Sequence, residues 1–420
     1  MSYSRPRRRL LRGAALTAAL ALSVGALAAC APGGSAPVST AGASSGPVTL
    51  TWWDYYADGS ASSEQLQALL KQYEEENPDV TINREFIAYA DLKQSLLQSA
   101  GAGSLPDLVV INSPDHQQFA ELGLAAKLDD KIAEWGQLDK YPEGVIASAT
   151  YQDSIYGLPA SANCLALFYN KAMFDAAGLK PPTTWAEMEK DAAALTTPEH
   201  YGLAYSAINN QQAVFQYLPA LWQSGSDLDD LTSDAAVSSL DYWAGMMDKG
   251  SVSREALNWD QAAVATEFAQ GRAAMMINGP WQLPFLAKEA PSLEYGVALL
   301  PSGKEDASVT GGENYMVMAS PNEDAAWKVL QFLQQPENVT LMNVAGGSLP
   351  TRSDIDPFPD NEVIGVFTDQ LQVARPRAYG ANYAEIADKL VVALQSRMTG
   401  AATSKDALKT ASDAIAPLLP

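Results

Sequence analysis

The chain has 420 residues, of which 27 are basic and 49 acidic, for a formal net charge of −22. An acidic body is repelled by nucleic acid and by anionic membrane surfaces, so neither is an expected partner. With 2 cysteines and 2 histidines, a disulfide framework and a histidine-rich metal cluster are both excluded.

Taken in chain order, the first segment is an address. Arg5, Arg7, Arg8, Arg9 and Arg12 precede an apolar run from Gly13 to Ala29, which ends in Leu27-Ala28-Ala29-Cys30. A basic start, an apolar stretch and small residues at the cut describe a secretory signal. The ending resembles a lipobox, which implies that Cys30 becomes the first mature residue and carries lipid. At 17 residues, followed at once by Pro and Gly, the run is short for a permanent membrane helix. Residues 31–46 are small and polar without a hydrophobic pattern, as in a flexible tether. Setting the five leader arginines aside, the remainder carries −27. With Cys30 lipidated, Cys164 stands alone in the apolar run Cys164–Phe168 and reads as a buried thiol.

From Pro47 onward, strand and helix patterns alternate. Thr49–Trp53 predicts a strand. Ser62–Glu76 predicts a helix, with Leu66, Leu69, Leu70 and Tyr73 on one face, a Ser62…Gln65 capping box and a stop at Asn77-Pro78. A strand at Val80–Phe86 and a helix at Asp91–Ala100, ended by Gly101, follow. The continuous apolar run Asp107–Ile111 suits a strand buried on both faces of a parallel sheet. Further helices are expected at Thr184–Ala194 (capping box Thr184…Glu187), Gln211–Gln223, Asp234–Lys249 and Asp260–Gln270. Strands are expected at Ala273–Ile277, Val297–Leu300 and Tyr315–Met318. Helices close the chain at Glu323–Gln334, Tyr383–Met398 and Ser404–Leu418. This is an α/β chain, and some 375 residues exceed what one core usually serves, so two domains are expected.

No catalytic or metal constellation stands out. The histidines, His116 and His200, are isolated. Gly42–Gly46 matches a nucleophile-elbow string but has no flanking strand and helix. Asp227, Asp229 and Asp230 lack the glycine of a calcium loop and read as a solvated loop. No cofactor is implied. What the sequence does hold is loop-placed aromatics: Trp52, Trp53, Tyr55 and Tyr56 at the end of the first strand, and Trp222, Trp259 and Trp281 near helix ends or after a strand. Flat aromatics stack on the C–H faces of sugar rings, and ligand sites in α/β sheets lie beyond the carboxyl ends of strands. Asp54–Tyr56 and Asn112–Asp115 fall there. Trp135, Trp185, Trp243 and Trp327 read as core.

Several stretches, in order, carry a resemblance. They are Glu76-Asn77-Pro78, Leu105–Val109, Tyr156–Pro159, Phe168–Lys171, Ala177-Gly178, Phe268–Trp281 (with Gly271–Met275 and Asn278–Trp281), Gly311-Gly312 and Ala325–Trp327. Over residues 48–418 the sequence resembles the family 1 extracellular solute-binding proteins, the maltose-binding-protein-like group of ABC importers. The resemblance implies a two-lobed periplasmic-binding-protein-like (type II) fold with a ligand cleft between lobes joined by hinge strands. Residues 1–29 would be the leader and 30–46 the tether. The N-terminal lobe would take 47–160 and 314–347, and the C-terminal lobe 161–313 and 348–420, with crossings near Ala160–Asn163, Gly312–Tyr315 and Gly347–Thr351. Matching positions for ligand contacts are Asp54, Tyr55, Tyr56, Asn112, Ser113, Asp115, Asn163, Trp281, Gly312, Glu313 and Asn314. Arg375, Arg377, Tyr379 and Tyr383 match a cleft-closing segment. Asn163 stands where maltose binders often have an acid, which points away from maltose itself.

The function so implied is capture of a mono- or oligosaccharide by a monomer, tethered through Cys30 at the extracytoplasmic face of the membrane, and delivery to ABC permease subunits. Two other readings stay in view. A secreted carbohydrate-active enzyme would need a pair of cleft carboxylates, and a binder of a phosphorylated polyol would need convergent basic groups such as Arg375 and Arg377.

Overall fold

The computed structural model describes residues Gly46–Pro420. The signal segment, the tether up to Ser45 and the lipidation site Cys30 lie outside the described residues. Among the described residues no helix is long and apolar enough to cross a membrane.

The strands that matter here are β1 (Val48–Asp54), β2 (Val80–Phe86), β3 (Leu108–Asn112), β4 (Gly157–Pro159), β5 (Asn163–Cys164), β6 (Ala166–Asn170), β7 (Tyr201–Ala204), β8 (Ala273–Asn278), β9 (Tyr295–Ala298), β10 (Ser308–Gly311), β11 (Glu313–Val317) and β12 (Ala374–Arg375). One five-stranded sheet runs β2-β1-β3-β11-β4. A four-stranded sheet runs β9-β6-β8-β7, and a three-stranded one β12-β10-β5.

The first sheet shows why its sequence reads as it does. All five residues of β3 are buried. Leu108 and Val110 enter the core that holds Leu50, Trp52 and Leu66, while Val109 and Ile111 enter a second core with Leu96 and Phe119. A strand covered on both faces favours apolar residues throughout, hence the unbroken run Leu108–Ile111, and the one polar residue, Asn112, comes at its end. The sheet is not parallel throughout, however: β1 pairs parallel with β2 and β3, but β11 pairs antiparallel with β3 and β4. Strand β11 arrives from some 200 residues downstream, so no local pattern reveals its direction.

Caps differ in detail from expectation. The first helix spans Ala61–Glu76, and its N-cap is Ser60, whose Oγ accepts from Ser63 N, so the Ser62…Gln65 box is not used. The next spans Tyr89–Ala102 and ends on Gly103, not Gly101. Thr184 caps Trp185–Ala194 as expected, but the Glu187 carboxylate returns to Thr183 N at 2.8 Å rather than to Thr184.

The second group of elements has its own core. Helices Gln211–Gln223, Asp234–Asp248, Tyr383–Met398 and Ser404–Ile415 pack around Leu167, Leu203, Tyr205 and Trp243. Trp243 and Trp327 are buried, Trp135 stands edge-on to Trp327, and Trp185 stacks on Tyr242 at 4.2 Å. Cys164 is free and buried, and burial pushes its thiol up to about 12.

The chain passes between the two groups three times. The first passage is Ala160–Ala162, between β4 and β5. The second is Gly312, whose φ of 141° and whose approach to Ser161 O, 2.2 Å from any added Cβ, require glycine. The third begins where Leu349 N donates to Ala162 O at 2.8 Å. It ends later than Thr351. Arg352 donates to Gln334 O and Gln137 Oε1, and Ser353 N donates to Lys140 O, so both remain bound to the N-terminal group.

Candidate functional site

The residues at these passages build a continuous polar and aromatic wall. Glu313 opens β11 directly after Gly312. Its backbone N donates to Ser161 Oγ at 3.1 Å, and its carboxylate accepts from Ser161 Oγ and, at 3.2 Å, from Tyr55 OH. Burial raises the Glu313 carboxyl above its usual range, and the Ser161 and Tyr55 hydroxyls and the Arg377 guanidinium partly offset it. Tyr55 meets Tyr89 edge-on at 5.2 Å, and Tyr89 OH accepts from Asn112 Nδ2 at 3.1 Å.

At Asn112 the two groups meet. Arg377 donates to Asn112 Oδ1 at 3.4 Å, and its guanidinium lies over Phe215, 4.7 Å from the ring centre, and over Tyr383 at 5.7 Å. Asp115, at the turn after β3, is buried, and burial raises its carboxyl against the pull of Lys93 and Arg377. Phe215 continues the wall, with Trp281 tilted against it at 6.2 Å. Any Cβ on Gly311 would meet Asn163 Oδ1 and Phe215, so Asn163 is part of the same surface. Trp281 is half-buried and follows β8 through Asn278-Gly279-Pro280. Its indole lies so close over Gly279 that a Cβ there would fall 1.9 Å from it. Ser113 joins by its backbone, its N donating to Gly312 O at 3.0 Å, and Tyr56 stands edge-on beside Tyr55 at 5.9 Å.

Other expected contacts are engaged elsewhere. Asp54 is fully buried and saturated: it accepts from Arg84 Nε at 2.7 Å and NH2 at 2.8 Å, from Trp52 Nε1 and from Tyr56 N. It holds the turn after β1 and has no oxygen left for a ligand. Trp222 lies inside the C-terminal core, its indole N–H donating to Asp227 and to Tyr379 OH, each at 3.1 Å. Tyr379 stacks behind Tyr383 and donates to Asp227. Asp227, far from being a solvated loop residue, therefore anchors two aromatics. Arg375 pairs with the half-exposed Glu305 at 2.8 Å. Trp259 is half-buried between two cores, its carbonyl accepting from Ser206 Oγ. Asn314 faces away from the wall: its amide exchanges bonds with Ser148, and His116, which burial holds down to about 3, stands beside it. Among the described residues no group of three His, Cys, Asp or Glu side chains could hold a metal ion.

Tyr89, Ser161 and Phe215 were absent from the sequence reading, as was Gln211, whose side chain is hydrogen-bonded to Asp115. Ser161 alone had a local signal, since it lies within the first expected passage. The others sit at helix starts or on an apolar helix face, and only the folded chain brings them to the wall.

The family model for the bacterial extracellular solute-binding proteins matches residues 68–364. A binding protein of Brucella abortus is 30% identical over 384 residues, covering 88% of this chain and 92% of that one. The galactooligosaccharide-binding protein of Bacillus subtilis is 25% identical over 417 residues, covering 95% of this chain and 94% of that one. A solved ABC transporter solute-binding protein from Thermotoga lettingae, bound with α-D-tagatose, superposes with a TM-score of 0.82 at 26% identity, covering 89% of this chain and 100% of that one. The two groups of elements are thus the two lobes of a periplasmic-binding-protein-like fold, and the chain belongs to the bacterial extracellular solute-binding proteins.

Proposed function

We propose that the protein captures a mono- or oligosaccharide between its two lobes and delivers it to the permease subunits of an ABC importer. It does so as a monomer held at the extracytoplasmic face of the membrane by lipid on Cys30, and it does no chemistry on its cargo. The observation that carries this reading is the wall itself. Trp281 and Phe215 offer aromatic faces, and Asn112, Asp115, Asn163 and Arg377 offer donors and acceptors beside them, drawn from both lobes. Apolar faces with a few convergent polar groups suit a ring that is apolar on its faces and hydroxylated at its edge. Relatives whose names state a galactooligosaccharide or maltotriose ligand agree with it.

The wall also weighs against the two other readings. A glycosidase needs two free carboxylates across the scissile bond. Here Glu313 already accepts from Tyr55 and Ser161, and the other acid beside Asp115, Asp388, is exposed to solvent. A phosphorylated ligand wants convergent cations, yet Arg375 is paired with Glu305, and Arg377 shares the wall with Asp115 and Glu313.

A thermal-shift screen of the soluble mature chain tests the proposal. The panel is tagatose, maltose, maltotriose, galactotriose and mannobiose, set against glycerol 3-phosphate and amino acids. Stabilisation by at least one saccharide and by neither control is expected. Stabilisation by the controls alone would refute it.

A further inference from the structure

A cavity of about 410 Å³ opens in the N-terminal lobe, and none of its lining residues belongs to the wall. Small-ligand sites fall in this range of size. The cavity lies where three helices end: Ala61–Glu76, Asp129–Trp135 and Glu323–Leu333. Tyr73 and Phe332, both buried, meet edge-on at 5.3 Å in its lining. Trp135 is half-buried beside them, held edge-on to Trp327 at 5.8 Å and tilted on Tyr141 at 6.3 Å. Gly136, with a φ of 66°, ends the helix directly after it and turns the chain. A large aromatic is thus set rigidly at the side of an open cavity.

The polar part of the lining is made chiefly of amides. Asn77, Gln137, Gln331 and Gln334 each bring a side-chain amide, which offers an acceptor and two donors. Glu76 and Lys328, both exposed, leave the lining with no net charge. An ion of either sign meets one charge that attracts it and one that repels it. An aromatic face beside groups that both donate and accept suits a neutral ring, apolar on its faces and hydroxylated at its edge.

Gln334 ties the cavity to the hinge. Fully buried, it donates from Nε2 to Pro159 O at 2.9 Å, directly before the first passage, and accepts from Tyr141 OH at 2.7 Å. Its carbonyl accepts from Arg352 Nη1 at 3.1 Å, and Arg352 Nη2 donates to Gln137 Oε1 at 3.0 Å, where the third passage ends. Two lining residues, Gln334 and Gln137, therefore anchor two of the three passages on which the lobes turn. A ligand packed on them touches the hinge from behind. Any difference in its affinity between open and closed lobes shifts their balance.

We propose that this cavity is a second ligand site, outside the interlobe cleft, which takes a neutral hydroxylated ring and is coupled through Gln334 to the opening of the lobes. Trp135 supplies the stacking face and Gln331 a hydrogen-bonding partner. The proposal does not depend on which cargo the cleft carries.

Fluorine NMR of the mature protein labelled with fluorotryptophan tests it, with the Trp135 and Trp281 resonances assigned from Trp135→Phe and Trp281→Phe. The probes are tagatose, maltose, maltotriose, galactotriose and mannobiose, with glycerol 3-phosphate and lysine as charged controls. At least one sugar should move the Trp135 resonance with a midpoint of its own, distinct from that of Trp281, and neither control should. Gln331→Ala, a change at a half-buried position that keeps the aromatic packing, should raise the Trp135 midpoint about threefold or more through the lost hydrogen bond. Coupling is read in Trp281→Ala, where the cleft is weakened: its Trp135 midpoint should differ from the native one by about fivefold or more, because linkage between two sites is reciprocal. A Trp135 resonance that no sugar moves would overturn the site, whatever Trp281 does. So would one that moves only in step with Trp281 and ignores Gln331→Ala, since it reports closure of the lobes alone. Movement by the charged controls alone would overturn the neutral class of ligand. Equal Trp135 midpoints in the native and Trp281→Ala proteins would overturn the coupling. A moving Trp135 beside a motionless Trp281 would uphold the cavity and contradict the cleft reading, so the two fail separately.

Discussion

Ser161 and Glu313 are bonded in both directions: the Glu313 backbone N donates to Ser161 Oγ at 3.1 Å, and the Ser161 hydroxyl donates to the Glu313 carboxylate. They are 152 residues apart in sequence and lie on two different passages between the lobes. The pair stitches those passages together, and Tyr55 adds the N-terminal lobe to the same carboxylate at 3.2 Å. A hinge of this kind is held at one half-buried acid, and that acid has a cost that depends on pH.

Burial raises the Glu313 carboxyl from its ordinary 4.5. The folded protein therefore holds this proton more tightly than the unfolded chain does. Its contribution to stability is most favourable below 4.5 and is lost as pH rises toward the raised folded value. Glu313→Gln removes the titration. The melting temperature of Glu313→Gln relative to the native protein should climb as pH is raised from about 4.5 toward 7, without ligand present. A difference that is constant or falls over that range would contradict the assignment.

Asp54 is held by direct partners on both of its oxygens. Arg84 grips it through two nitrogens, and Trp52 and Tyr56 occupy what remains. Replacing it with alanine leaves the Arg84 guanidinium uncompensated in a nearly closed site, which costs about 3–5 kcal/mol. Urea denaturation should show a loss of that order, while the folded fraction keeps its sugar affinity. A variant of native stability that no longer binds sugar would restore Asp54 to the ligand site.

Cys164 lies wholly buried, with its Sγ against Phe367 O at 3.4 Å and its thiol pushed up to about 12. At neutral pH it is protonated and shielded. An aromatic disulfide reagent should label it only in denaturant, and reductant should leave the melting temperature unchanged. Rapid labelling of the folded protein would contradict this.

What the sequence makes legible follows from how local each signal is. The β3 run, the helix Gln211–Gln223 and the turn Asn278-Gly279-Pro280 before Trp281 are written in adjacent residues, and the structure places all three where they were expected. The antiparallel β11 was not legible in direction, because its partner β3 lies about 200 residues upstream. The Arg377–Asn112 contact spans 265 residues, and no spacing rule reaches that far. Only the family resemblance pointed to Arg377. The same resemblance gave no sign that Asp54 and Arg375 are already engaged, since whether a charged residue is free for a ligand depends on a partner elsewhere, Arg84 in one case and Glu305 in the other. Trp222 failed for a related reason: a tryptophan at a helix end looks the same in sequence whether its indole N–H meets solvent or an Asp227.

Gly279 bears on the same site. Its φ of −112° suits any residue, so the need for glycine is spatial: a Cβ would fall 1.9 Å from the Trp281 indole. Gly279→Ala should swing the ring from its place and weaken sugar binding while the protein stays folded. Full affinity in that variant would mean that the ring's position is of no consequence.

The claim that a sugar sits between the lobes depends most on Trp281, half-buried, tilted on Phe215 and placed at the end of β8. A central aromatic anchor costs about 2 kcal/mol or more when truncated, which is about thirtyfold in affinity. Calorimetry of Trp281→Ala with whichever saccharide stabilises the native protein is the direct measurement. The account predicts a folded variant, with a melting temperature close to native, that binds at least about thirtyfold more weakly. A folded Trp281→Ala protein with near-native affinity would contradict it.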